Sequence, residues 1–279
     1  MLERRGFSAG WLLLVIALCG GCVDSLESPL DAASTDDSNP PVEQPAGRAE
    51  TPAFDPLELE PPPIENWVEV EDFDVELARF ESVFWDTEDT VSLRKLIRET
   101  PLVEGKRVLE IGTGTGLISM CCLQAGAARV VATDINPQAV ANANYNARGL
   151  EFDRRFETRL VPKHRPDAYS VIGQRERFDL IISNPPWQDG APQSIGEYAF
   201  YDPGFNLLRS LLAGLRDHLE PEGKALLAYG SVDAIKEVQR LAPQYGLQVR
   251  ILDDRDLDSL RPQFLPGMLL EVTVGAGRE

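Results

Sequence analysis

From Lys106 onward the chain alternates between two hydrophobic rhythms. Short β-rich runs are "RVLEI" (107–111), "RVVATD" (129–134), a weaker "ETRLV" (157–161), "FDLIIS" (178–183), "KALLAYG" (224–230), "LQVRIL" (247–252) and "MLLEVTV" (268–274). Between them, apolar residues recur at helical spacing near 116–125, 137–148, 204–219 and 233–243. Strands alternating with helical stretches predict an α/β domain, in which a parallel sheet is covered by helices on both faces. The last two runs have no helical stretch between them, so they predict a terminal hairpin and a C-terminal antiparallel strand. Upstream, Thr87 to Thr100 reads as one more helix, capped by Asp86 or Thr87 and stopped by Pro101. No internal repeat is visible.

The first hundred residues follow other rules. Arg4 and Arg5 precede the apolar run "WLLLVIALC" (11–19), which leads through Gly20 and Gly21 to Cys22. That run is short for a membrane span and has the layout of an export signal, with Cys22 placed as in a bacterial lipoprotein processing site. Residues 1–22 are therefore expected to be a signal peptide, with a lipid anchor at Cys22 and a membrane-anchored protein. If the start site is misread, the protein is cytoplasmic instead. Residues 23–63 are rich in Pro, Ser, Asp and Glu without periodicity, as in a disordered acidic linker. Residues 64–101 form a lead-in segment with the helix, and residues 102–279 the main domain.

Charge sharpens this division. Of the net −18, residues 1–63 carry −8 (three bases, eleven acids), residues 64–101 carry −7 (four, eleven) and the remainder only −3 (twenty, twenty-three). The acidic front argues against salt-driven binding to nucleic acid by the intact chain, while the near-neutral domain leaves an RNA substrate open. A basic run, Arg148, Arg154, Arg155, Arg159, Lys163, Arg165, Arg175 and Arg177, either contacts phosphate or is a solvated insertion. Cys19 and Cys22 fall within the signal, and adjacent Cys121 and Cys122 suit small buried hydrophobes. The two histidines, His164 and His218, are far apart in sequence. No metal site is expected.

Candidate chemistry sits at the ends of the strands. In "VLEIGTGTGL" (108–117), Gly112, Gly114 and Gly116 turn from a strand into a helix, where backbone N–H groups can approach a ligand closely. Asp134 ends the next strand, placed to accept hydrogen bonds from both hydroxyls of a ribose. The spacing is G-x-G-x-G, and Leu117 stands where a dinucleotide fingerprint has its third glycine. Glu110 adds an acid able to hold an ammonium group. An acid, a glycine loop and a ribose acid together suit S-adenosylmethionine, an amino acid joined to adenosine.

"EIGTGTG" with "TDIN" and "FDLIISNPPW" resembles the class I S-adenosylmethionine-dependent methyltransferases that modify exocyclic or amide nitrogens. "IISNPPWQDG" (181–190) is similar to the small-domain family that includes ribosomal-RNA guanine-N2 methyltransferases. "VFWDTEDTVSL" (83–93) resembles the segment leading the first helix in release-factor glutamine N5 methyltransferases, which places Thr90 beside the cofactor. The resemblance covers about residues 83–275. It implies a Rossmann-like doubly wound sheet, mostly parallel, and N-methylation of a planar amino or amide nitrogen in an RNA base or a protein glutamine. Asn184 and Pro185 would accept the N–H groups of that nitrogen through carbonyl oxygens, Asn184 would also contact the cofactor, and Trp187 would offer a flat face for stacking. Such chemistry needs no strong base. The acid that commonly contacts the adenine amine is not evident in "LVPKHRPDAYS" (160–170), where Asp167 and Ser170 both stay open. A dehydrogenase would leave the NPPW corner without a role. An envelope lipoprotein that keeps the fold only as a binding module is the alternative of a different class.

Overall fold

The computed structural model describes residues 63–275. The expected signal and, except for Pro63, the linker lie outside the described residues. The elements, in chain order, are β1 Ile64–Val68, β2 Leu77–Phe80, α1 Val91–Glu99, β3 Arg107–Ile111, α2 Leu117–Gln124, β4 Arg129–Asp134, α3 Pro137–Gly149, β5 Phe156–Leu160, β6 Phe178–Ser183, α4 Asn206–His218, β7 Leu219–Ser231, α5 Val232–Leu241, β8 Leu247–Ile251 and β9 Gln263–Val274.

Seven of the strands make one sheet in the order β5-β4-β3-β6-β7-β9-β8. The first five are mutually parallel, and β9 runs antiparallel to both β7 and β8. The expected α/β sheet with a terminal antiparallel pair is what forms, with β9 inserted between its two partners. Strand order reverses between β3 and β6, and this switch point opens a crevice at the strands' carboxyl ends.

The period-two pattern decides which side chain enters which layer. Along β3 and β6, Leu109, Ile111 and Ile181 join the core under α4 and α5, as does Phe178, which precedes an irregularity in the pairing with β7 and falls out of the alternation. Their neighbours Val108, Leu180 and Ile182 join the opposite core, under α1, α2 and α3. Burial of each such side chain stabilises by about 1.5–3 kcal/mol, and here both sheet faces contribute. Helix α2 is buried on every side except at Gln124, which accounts for its unbroken apolar run; Cys121 and Cys122 are free and buried in it.

Two features differ from expectation. The helix expected from Thr87 begins at Val91, because Asp86 Oδ1 accepts the Glu88 N–H at 2.8 Å and turns the chain before it can wind. The lead-in segment also holds a hairpin, β1–β2, absent from the sequence reading. Its open edge is completed by helix α3: the N–H groups of Ala78 and Phe80 donate to the side-chain oxygens of Asn146 and Asn142, each at 2.9 Å. The two amides return bonds to the Ala78 carbonyl at 2.9 and 2.8 Å, and Asn146 also reaches the Thr115 carbonyl at 2.9 Å. Two buried asparagines thus stand in for a missing strand and tie the hairpin to the glycine loop.

Candidate active site

A cavity of about 330 Å3 opens at the switch point. Its walls come from the glycine loop, the end of β4, the Asn-Pro-Pro corner after β6, residues from Ser82 to Thr90, and the segment between β6 and α4. The structure brings Glu110, Gly112, Gly114, Asp134, Thr90, Asn184 and Pro185 to this one cavity.

The glycine loop has its shape because all three glycines adopt positive φ: 78° at Gly112, 54° at Gly114 and 86° at Gly116. Gly116, at the N-terminus of α2, packs against α3, where an added Cβ would lie 3.0 Å from that of Ala143. At Gly112 an added Cβ would meet nothing within 4 Å, so that position faces open space. Asp134 holds the loop in place: one carboxylate oxygen accepts from the Gly114 N–H at 2.9 Å and the other from the Asn136 N–H at 2.8 Å. Desolvation pushes its pKa up, against the pull of these backbone bonds.

Glu110 is 1 % exposed. Its Oε2 accepts from the hydroxyls of Thr113, at 2.7 Å, and Ser119. Burial raises its pKa to about 7, and the neighbouring Asp134 charge adds to the rise. Two carboxyls thus share a water-poor wall, and no lysine or arginine lines the cavity among the described residues. A cationic amino acid with ribose hydroxyls supplies the partners this wall lacks, so S-adenosylmethionine fits the residues present.

Thr90 and Asn184, which line the cavity, carry unsatisfied polar atoms, as does Asp89 behind them, outside the lining. Asn184 donates from Nδ2 to Asp89 Oδ2 at 2.6 Å, while its Oδ1 is buried without a partner. Thr90 Oγ1 and Asp89 Oδ1 are likewise buried and unpartnered. Asp89 is 2 % exposed, and burial raises its pKa to about 7. Pro185 lies past the last paired residue of β6, Ser183, whose hydroxyl donates to the Ile111 carbonyl at 2.7 Å and locks the corner to β3. The orphaned polar atoms of the two lining residues, Asn184 Oδ1 and Thr90 Oγ1, mark where a donor-bearing ligand belongs.

Trp187 departs from expectation. It lines a second cavity with Gln188, Phe205 and Gln263, not the main one. Its ring lies over Gly230, where an added Cβ would come within 2.4 Å of the indole, and it packs against the core of α4 and α5. The aromatic faces of the main cavity belong instead to Phe84, Trp85, Tyr198 and Tyr201. Phe84 meets Phe200 edge-on at 5.3 Å, which joins the lead-in segment to the loop after β6. The sequence did contain a signal for this loop: "GEYAFYDPG" (196–204) is dense in aromatics yet has no period. Of the two open adenine candidates, Asp167 lines the cavity and Ser170 does not.

Residues 78–233 match the model of the methyltransferase small domain, more than half of the chain. The chain belongs to this family. It is 33% identical over 198 residues to a release factor glutamine methyltransferase of Cereibacter sphaeroides, covering 63% of this chain and 68% of that protein. It is 27% identical to a tRNA1(Val) (adenine(37)-N6)-methyltransferase of Shewanella halifaxensis over 53% of this chain and 60% of the relative. A ribosomal protein L11 methylase from Lactobacillus delbrueckii shares the fold, with a TM-score of 0.51 at 18% identity over 71% of this chain and 84% of that one. The protein is accordingly an S-adenosylmethionine-dependent methyltransferase.

Proposed function

We propose that this methyltransferase modifies a protein amide nitrogen, the side chain of glutamine, rather than an RNA base. The observation that carries this reading is the charge of the cavity. Asp86, Glu110, Asp134, Asp167 and Asp202 line it, with no lysine or arginine among the described residues, and such a wall repels a phosphate-bearing acceptor. The basic run does not offset it. Arg155 is spent on the carbonyls of Leu123 and Ala127, Arg159 on Glu157 and Glu176, Arg165 on the Ser170 carbonyl, and Arg177 on those of Arg216 and Leu219. None of the eight basic residues lines the cavity.

When bound, S-adenosylmethionine supplies an activated methyl group on a good leaving group. The residues that would hold it are the Gly112–Gly116 loop, Asp134 for the ribose hydroxyls, Glu110 for the ammonium group, and Thr90. The chain's own contribution to chemistry is orientation. An amide lone pair is delocalised and a poor nucleophile. The Asn184 Oδ1 and Pro185 carbonyl oxygens accept its N–H groups, drawing the nitrogen away from planarity and fixing the direction of its lone pair. The aromatic rings of Tyr198 and Tyr201 provide apolar surface for the flat amide.

Incubating the full-length protein with methyl-labelled S-adenosylmethionine, and separately with purified release factors and deproteinised total RNA, tests this. Label is expected in protein, released as methylamine on acid hydrolysis of the amide. Label in RNA alone overturns the glutamine reading. We further propose that the leader acts as the sequence suggests, anchoring the enzyme to a membrane through Cys22.

A further inference from the structure

Asn184 has two chemically opposite ends, and only one of them accepts a hydrogen bond. Nothing in an Asn-Pro-Pro corner by itself decides which end faces the substrate. The decision is made 95 positions earlier in sequence, in the turn before α1, where Asp89 Oδ2 takes the Nδ2–H at 2.6 Å. Reversing the amide would press its carbonyl oxygen against a carboxylate oxygen at that same separation, an arrangement with no shared proton.

We propose that Asp89 is a positioning residue of the methyl-transfer reaction, whose carboxylate fixes the Asn184 side chain with Nδ2 bound to protein and Oδ1 free as the acceptor for the substrate N–H. This deepens the reading of Asn184 given above and rests on it.

Three observations converge on it. First, Asn184 lines the cavity and its Oδ1 is buried without a partner, as an acceptor reserved for a ligand would be. Second, Asp89 is itself rigidly seated. Its backbone carbonyl lies where a Cβ on Gly267 of β9 would come within 2.4 Å, so the turn is clamped between the sheet and the corner. Third, Asp89 is a poor choice for stability alone. It is almost fully buried, and its second oxygen has no partner. A carboxyl kept in such a place, with Asn184 as its one side-chain partner, serves that partner's orientation.

The arrangement carries a pH dependence. Asp89 has a pKa near 7, raised by burial and then by the Asp86 charge and lowered by the bond to Asn184. Asp86 is the charge that raises it further; from α1, Arg94 donates to the Thr87 carbonyl of the same turn at 3.1 Å, while Asn184, just past β6, and Gly267 of β9 are uncharged. The ionised form accepts from Nδ2. The protonated form carries an O–H that suits Oδ1 instead, so the selection of one orientation is lost as pH falls through about 7.

The test uses the full chain and three variants, Asp89→Ala, Asp89→Asn and Asn184→Ala. The side-chain amide signals of Asn184 in a 15N-labelled sample, identified by their loss in Asn184→Ala, are expected to titrate near pH 7 in the parent and not in either Asp89 variant. With the acceptor methylated by the parent, kcat is expected to fall ten- to hundredfold in Asp89→Ala, with the S-adenosylmethionine Kd changed less than threefold. Asp89→Asn, which keeps the packing and one acceptor oxygen, should lose less and show no acid limb in kcat. An Asn184 signal that ignores both pH and Asp89→Ala overturns the proposal, as does parental kcat in both Asp89 variants beside an inactive Asn184→Ala. Full activity in Asn184→Ala identifies the other failure: the reading of Asn184 itself falls, and the role of Asp89 with it. Should Asp89→Ala not fold, Asp89→Asn and the amide titration of the parent decide the matter.

Discussion

The Asp134 carboxylate accepts a hydrogen bond from the Gly114 N–H at 2.9 Å, so the residue assigned to the ribose also shapes the loop that would approach the rest of the cofactor. Asp134→Ala removes both functions. It should weaken S-adenosylmethionine binding by roughly 1.5–3 kcal/mol, the range for hydrogen bonds to a charged group. Asp134→Asn, which keeps an acceptor for one backbone N–H, should lose less. Titration calorimetry measures both, and parental affinity in Asp134→Ala would remove the ribose assignment.

Asn184→Ala separates binding from turnover. Its Oδ1 has no partner in the protein, so removing it should leave cofactor affinity nearly intact. Turnover should drop on the order of a hundredfold or more, as for loss of one oriented polar group. Steady-state kinetics beside calorimetry shows which parameter moves; a parental kcat would reduce Asn184 to a turn residue.

Glu110 links the site to stability. Its folded-state pKa is about 7 against an ordinary 4.5, because burial outweighs the hydroxyl bonds from Ser119 and Thr113. Between those values the folded chain holds a proton that the unfolded chain has released. Stability of the cofactor-free protein should therefore fall as pH rises from about 4.5 to 7 and level off above. Asp89, raised to about 7, adds a slope of the same sign. Glu110→Gln should remove one share, stabilising the protein by roughly 1–3 kcal/mol at pH 8 while weakening S-adenosylmethionine binding. Denaturant melts across pH check it, and an unchanged slope in the variant would mean that Glu110 is charged throughout.

The leader makes a prediction of its own. Under the proposed reading, Arg4, Arg5, the apolar run and Cys22 act together as an export signal. Most of the full-length protein should fractionate with membranes, and Cys22→Ser should release it or leave it unprocessed. A parent protein wholly in the soluble fraction, with its N-terminus beyond Cys22 and no acyl chain, would end that reading. It would also place the enzyme in the compartment where its methyl donor is made.

What the sequence disclosed was what local pattern encodes. Strands β3, β4 and β6 are mostly apolar because both their faces are buried, and the glycines of 112–116 are needed where φ turns positive. The hairpin was hidden because its stabilising partners are Asn142 and Asn146, polar residues on a helix more than sixty positions away. The facing of Trp187 was hidden for a similar reason: Gly230 leaves the space that draws the indole out of the cavity. Asp89 was visible as a letter in "TEDT", but its bond to Asn184 spans 95 residues. Long-range polar pairing leaves no period to read.

The asparagine ladder between α3 and β2 also sets where this protein can be cut. The family match begins at Ala78, inside β2, and stops at Asp233, before β8 and β9. A fragment trimmed to 78–233 would take β1 from β2 and strip β8 and β9 from the sheet, while one trimmed to 102–279 would remove Ala78 and Phe80 and leave the amides of Asn142 and Asn146 without the backbone they bind. Heritable kinship and mechanical integrity therefore have different borders in this chain. The shortest piece expected to express as a soluble, cofactor-binding enzyme begins no later than Ile64 and runs through Val274.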